Sequence, residues 1–162
     1  MKVVIFVIGL LTFPGAGFAQ ESSETEKVEA VILSLFEGMR QGDSAMVHTA
    51  FLDDARLHTV VTGKDGKSLL REGSLQKFLT AVGTPHEQIW DEPIWDLEVK
   101  IDGDLAQAWT QYAFYLGSQF SHCGVDAFQL FRSSKGWKIF QLTDTRRKQG
   151  CQVPPEIEKA RR

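Results

Sequence analysis

The stretch His122–Cys151, HCGVDAFQLFRSSKGWKIFQLTDTRRKQGC, decides the fold of this chain. It reads as two long antiparallel strands folded back around Ser134, Lys135 and Gly136. A three-residue hairpin loop favours Gly at its last position, where φ must be positive, so the pattern predicts Ser133 opposite Trp137. Counting outward places Leu130 opposite Phe140, Phe128 opposite Leu142, and Asp126 opposite Asp144. One sheet face then carries an apolar floor with two acids at one end. Small-molecule pockets are built this way, with few polar groups on a mostly apolar lining.

Upstream of the hairpin the period-2 pattern continues. Ile94–Ile101 alternates with Trp95, Leu97, Val99 and Ile101 on one side, Asp102-Gly103 is a two-residue hairpin signal, and Leu105–Leu116 alternates before a Gly117-Ser118-Gln119 turn. Further back the period becomes helical. Ser23 and Glu26 form a capping-box pattern ahead of Val28, Val31, Ile32, Leu35, Phe36 and Met39, so a first helix is expected to end near Gly42. Asp43 caps a second, short helix from Ser44 to Phe51 with Met46, Val47 and Phe51 as its apolar contacts; Arg56–Thr62 is a strand and Leu69–Glu72 a short returning one. Ser74 caps a third helix with Leu75, Phe78, Leu79 and Val82 on one face, stopped at Gly83. The order is α+β, a curved sheet wrapped against helices.

Residues 1–19, MKVVIFVIGLLTFPGAGFA, have a basic start, an apolar run and small residues ending at Ala19. This is the pattern of a secretory signal peptide cut after Ala19, and the run is too short to span a bilayer. The expected organisation is a signal over 1–19, one domain over 20–150 and a Pro-containing charged tail over 151–162, mobile or weakly helical. The expected location is secreted or periplasmic, with no membrane attachment once the signal is removed. In such a compartment the two cysteines, Cys123 and Cys151, are expected to pair as a disulfide tethering the tail to the open end of the hairpin. A net charge of −3 without a basic stripe argues against nucleic acid. His48, His58, His86 and His122 show no paired metal-ligand spacing, and Gly63–Ser68 lacks the spacing of a phosphate loop, so neither a metal nor a cofactor is expected.

The order of elements, with FLDDARLHTVV (51–61), LQKFLTAV (75–82), IDGDLAQAW (101–109) and GVDAFQLFRSSKGWKIFQLTDT (124–145), resembles the nuclear-transport-factor-2-like superfamily, especially its SnoaL-like and lumazine-binding-like branches. The resemblance covers Glu26 to Thr145. It implies a cystatin-like α+β roll: a cone-shaped, curved, mixed but mainly antiparallel sheet around three helices of the N-terminal half, with a pocket inside and frequent homodimers.

In enzymes of that superfamily a buried Asp often moves protons on a carbon acid, helped by Tyr, His or another acid. The resemblance makes Asp126 and Asp144 the candidate catalytic acids, with proton affinities separated by an apolar site and a like charge. Arg146 and Arg147 equally suit a plain ion pair with Asp144. Tyr112, Tyr115, His58, His122, Phe128, Leu130, Phe140, Leu142 and Trp95 are the candidate pocket residues; either Tyr112 or Tyr115, not both, reaches the acid face. Three functions follow: a binding domain for a small, partly apolar molecule; a cofactor-independent isomerase, dehydratase or cyclase with Asp126 or Asp144 as base; or a dimeric interaction module using an outer face of Val125, Ala127, Phe131 and Ile139.

Overall fold

The computed structural model describes residues 23–63 and 65–160. The expected signal over 1–19, its cut after Ala19 and the start of the domain at Gln20 lie outside the described residues.

Three helices lead. α1 (Glu24–Gln41) starts on the expected capping box, in which the Ser23 hydroxyl accepts from the Glu26 amide and the Glu26 carboxylate accepts from the Ser23 amide. It ends on left-handed Gly42. α2 (Ser44–Ala50) is capped by Asp43, and α3 (Leu75–Gly83) by Ser74. Their apolar stripes, Val28, Ile32, Leu35 and Met39 of α1, Val47 of α2, and Leu75, Leu79 and Val82 of α3, are buried in one core. Each such side chain stabilises the fold by about 1.5–3 kcal/mol.

The strands are β1 (Phe51–Thr62), β2 (Ser68–Gly73), β3 (Trp90–Asp91), β4 (Ile94–Asp102), β5 (Leu105–Leu116), β6 (Gln119–Ser133) and β7 (Gly136–Thr145). They form one sheet in the order β2-β1-β7-β6-β5-β3, with β4 also on β5, and only β1–β7 is parallel among the pairs between these strands. The parallel pair lets the N-terminal half close onto the last strand. β1 begins five residues earlier than the sequence pattern predicts, and β3, only two residues long, is not predicted at all. The hairpin after β4 turns on Gly103-Asp104, because Asp102 still pairs with Leu105.

The opening hairpin pairs differently at its tip. Ser133 faces Gly136 and Arg132 faces Trp137, one step off the predicted register, while Gly136 keeps its positive φ of 95°. An irregularity between Gln129 and Leu130 then absorbs Phe140, restoring the predicted pairs Phe128–Leu142 and Asp126–Asp144. Leu130 therefore faces Ile139 instead of Phe140. Ile139, expected on the outer face, is fully buried in the core, because the bulge displaces the alternation at the tip.

At the far end of β6 a glycine is compulsory. A Cβ on Gly124 would lie 1.8 Å from the Thr145 carbonyl oxygen and 2.8 Å from Cε1 of Tyr112. This close approach lets the chain after β7 cross β6, where Cys123 and Arg147 exchange two backbone hydrogen bonds of 2.9 and 3.0 Å. The expected Cys123–Cys151 disulfide is present and anchors the tail there. Beyond it, Val153 packs with Tyr115, Trp95 and the disulfide, and α4 (Pro155–Lys159) is a single short helix.

Candidate functional site

Alternation along β5 and β6 sorts the candidates. Tyr112 and Phe114 of β5, and His122 and Asp126 of β6, point toward the helices, whereas Ala113, Tyr115 and Cys123 join the small cluster on the opposite face. Tyr112 is thus the tyrosine at the acid end; Tyr115 is not. Trp95 also packs in the opposite cluster and not in the pocket, because of an irregularity in β4 between Trp95 and Glu98, where Asp96 takes a positive φ of 53°.

The inward face encloses a cavity of about 340 Å³. That lies at the small end of ligand pockets. Leu35, Phe36 and Met39 of α1, Leu57, His58 and Thr59 of β1, Phe78 and Ala81 of α3, and Trp90, Phe114 and Leu142 form most of its wall. Phe128 and Leu130, predicted as floor, are buried in the core instead: Phe36 of α1 drops onto Phe128, edge to face at 6.3 Å, and fills that end of the cone. Phe140, the bulged residue, is absent from the lining. The cavity therefore occupies the acid end of the cone.

There the polar groups converge. Asp144 is 8 % exposed and its carboxylate accepts from the Thr59 hydroxyl at 2.5 Å, Arg146 Nε at 2.6 Å and the Tyr112 hydroxyl at 3.3 Å. Tyr112 also donates to the Thr145 carbonyl at 2.8 Å. Asp126, paired with Asp144 across β6 and β7, is 3 % exposed, and its Oδ2 has no hydrogen-bond partner. Burial, then the Glu92 and Asp144 carboxyls, holds the Asp126 carboxyl well above the usual carboxylate range. The sequence reading missed Glu92. It follows the two-residue strand β3 and completes the wall; burial, then Asp144, pushes its carboxyl up to about 8. Glu92 is partly exposed and lines the cavity.

The remaining groups are tuned by the same setting. Burial and the nearby Asp144 push the Tyr112 phenol up, so it stays a donor. Burial, then Arg146, lowers His122 to about 4, leaving a neutral ring whose Nδ1 lies 3.0 Å from the Ser121 hydroxyl. The site thus sets carboxyls whose charged forms burial disfavours beside an ion-paired one. It can donate a hydrogen bond, accept one, or pass a proton between them. Among the described residues, no group of three or more His, Cys, Asp and Glu is arranged to hold a metal ion.

Comparison with known proteins gives a consistent picture. The family described as “Putative lumazine-binding” matches residues 23–143. A solved NTF2-like protein of unknown function from Shewanella baltica superposes with a TM-score of 0.59 at 19 % identity, over 77 % of this chain and 94 % of that one. A “putative dehydratase” of the NTF2-like family from Streptomyces avermitilis gives 0.58 at 18 % identity, covering 76 % and 95 %. An NTF2-like protein with a cystatin-like fold from Novosphingobium aromaticivorans gives 0.60 at 13 %, covering 85 % and 88 %. Curated proteins yield no match. At these identities the solved structures show the shared fold alone.

Proposed function

As the chain belongs to the family described as “Putative lumazine-binding”, within the nuclear-transport-factor-2-like superfamily, we propose that it is an exported domain that binds a small, partly apolar molecule in its cone. One observation carries this reading: an apolar cavity whose polar end presents Asp126, a buried carboxyl with an oxygen left without a partner. Unpaired buried polar atoms cost roughly 1–3 kcal/mol, and a ligand group that meets this one recovers that cost. The Cys123–Cys151 bond supports export, since cytosolic thiols are kept reduced. A thermal-shift screen of small molecules tests binding. Hits that raise the melting temperature of the wild type must vanish in Leu142→Trp, which fills the cavity; hits that persist there bind elsewhere.

A second reading is supported by the arrangement of Asp126 beside the Asp144–Arg146 pair. Two acids in unlike environments suit general acid–base chemistry, as in a cofactor-independent isomerase, dehydratase or cyclase. Asp126→Asn and Asp144→Asn then abolish a turnover that Tyr115→Phe leaves intact. Assembly is a separate matter. Leu105, Trp109 and Phe131 stand 53 %, 54 % and 45 % exposed on the solvent side of the sheet, which favours a second copy docking on that face.

A further inference from the structure

The charge around the cavity does not balance. Glu92, Asp126 and Asp144 line it, and Arg146 is the one permanent cation among its described lining residues. That cation is already committed to Asp144. Two carboxyls are left, and one of them, Asp126, is 97 % buried with Oδ2 facing no partner. A buried acid in this position is stable as the neutral form or beside an opposite charge. The walls nearby are aromatic: Trp90 and Phe114 meet edge to face at 5.8 Å, and Phe36 and Phe78 also line the cavity. Aromatic faces attract cations, more strongly when water is excluded.

We propose that the cavity selects an organic cation, a quaternary ammonium or protonated amine on a small apolar body, seated between the Asp126 and Glu92 carboxyls and the rings of Trp90 and Phe114. This rests on the cavity being a ligand site. In the empty cavity burial and the neighbouring carboxyls favour the protonated forms of both acids. A bound positive charge favours their ionised forms, so at least one proton leaves as the cation enters, and binding tightens as pH rises.

Titratable and charged groups surround this seat, and His86 stacks on Trp90 at 4.2 Å. Asp144 and Arg146 lie at the end of β7, Tyr112 on β5, His122 on β6 and His58 on β1. Asp91 adjoins Glu92, and the Glu37–Arg40 ion pair of α1 lies along its outer side. His122 titrates at about 4, below the range in which Glu92 titrates at about 8, so it does not obscure the expected signal.

The test is isothermal titration calorimetry with three phenyl compounds: benzyltrimethylammonium, acetophenone and phenylacetate. The quaternary ammonium cannot titrate, so any proton release comes from the protein. It is expected to bind roughly tenfold or more tighter than acetophenone, and phenylacetate weakest. Measured at pH 7 in two buffers of different ionisation enthalpy, it should release protons, and its affinity should rise toward pH 8. Glu92→Gln and Asp126→Asn should weaken it while sparing acetophenone, with unchanged circular dichroism. Acetophenone binding as tightly as the ammonium, or ammonium binding without proton release, overturns the cation and leaves the ligand site standing. Failure of all three to bind overturns the ligand site itself. The proton release is read on the wild type, so no variant has to fold.

Discussion

Asp126 and Asp144 face each other across β6 and β7, yet they live differently: three side chains, Thr59, Tyr112 and Arg146, donate to Asp144, while Asp126 Oδ2 receives nothing. One acid is structural furniture that holds the end of β7. The other is a cost the fold carries.

That difference predicts opposite mutational responses. Asp144→Leu strands Arg146 and the Thr59 hydroxyl, while Tyr112 keeps the Thr145 carbonyl, and should destabilise by about 1–3 kcal/mol. Asp126→Leu removes an unpartnered polar atom beside free space, and should leave the urea midpoint at or above that of the wild type. Equal losses in the two variants would show that Asp126 is held by contacts of its own.

Stability should also fall as pH rises near neutrality. Glu92 has a folded-state value of about 8 against an ordinary 4.5, so the folded protein holds this proton more tightly than the unfolded chain. Its contribution is complete below 4.5 and is lost as pH climbs to 8; Asp126, also raised, acts in the same sense. His122 runs the other way, because its value is lowered from 6.5 to about 4 and its contribution is lost as pH falls through that window. The two trends oppose each other below 6.5. Between 6.5 and 8 the raised Glu92 sets the trend, with a slope of at most about 1.4 kcal/mol per pH unit. Urea unfolding across that interval should show the decline, and Glu92→Gln should flatten it. A level wild-type profile would contradict the burial of these carboxyls.

Much of this was legible in the residues, and the exceptions have local causes. The capping box of α1, the N-caps of α2 and α3, the helical stripes and the Asp126–Asp144 pairing follow from spacing alone. The pairing survives because two departures cancel: the tip closes one residue tighter than predicted, and Phe140 is then bulged out. Neither departure carries a residue signature, since Gly136 suits both tips, so spacing alone predicts Leu130 opposite Phe140 and Ile139 outward. Glu92 was illegible for another reason. Its place depends on β3, two residues whose pairing with Tyr115 and Leu116 is set by the sheet edge and not by their own pattern.

Gly124→Ala should be the most damaging small substitution in the chain. Its methyl carbon would meet the Thr145 carbonyl oxygen at 1.8 Å, and that oxygen belongs to backbone already bonded to Tyr112. Overpacking against backbone costs roughly 1–3 kcal/mol or more. Yield of folded protein and the thermal midpoint should both drop, with the Cys123–Arg147 bridge lost in hydrogen exchange. A variant as stable as the wild type would mean that β7 and β6 separate freely at this point.

Reduction of Cys123–Cys151 should cost about 2–4 kcal/mol, because the bond closes a loop of 28 residues. The thermal midpoint with and without a dithiol reductant reads this directly. Amide exchange should quicken at Arg147 and Cys123, the residues whose bridge the bond holds. Unchanged exchange there would assign the disulfide to the tail alone.

A ligand site at the acid end of the cone has a direct test. Native mass spectrometry of the purified protein supplies it. The predicted spectrum shows a small-molecule adduct that disappears on denaturation and is absent from Leu142→Trp. An adduct-free wild-type spectrum that stays so across a panel of small apolar cations, ketones and carboxylates would rule out a ligand site in the cone.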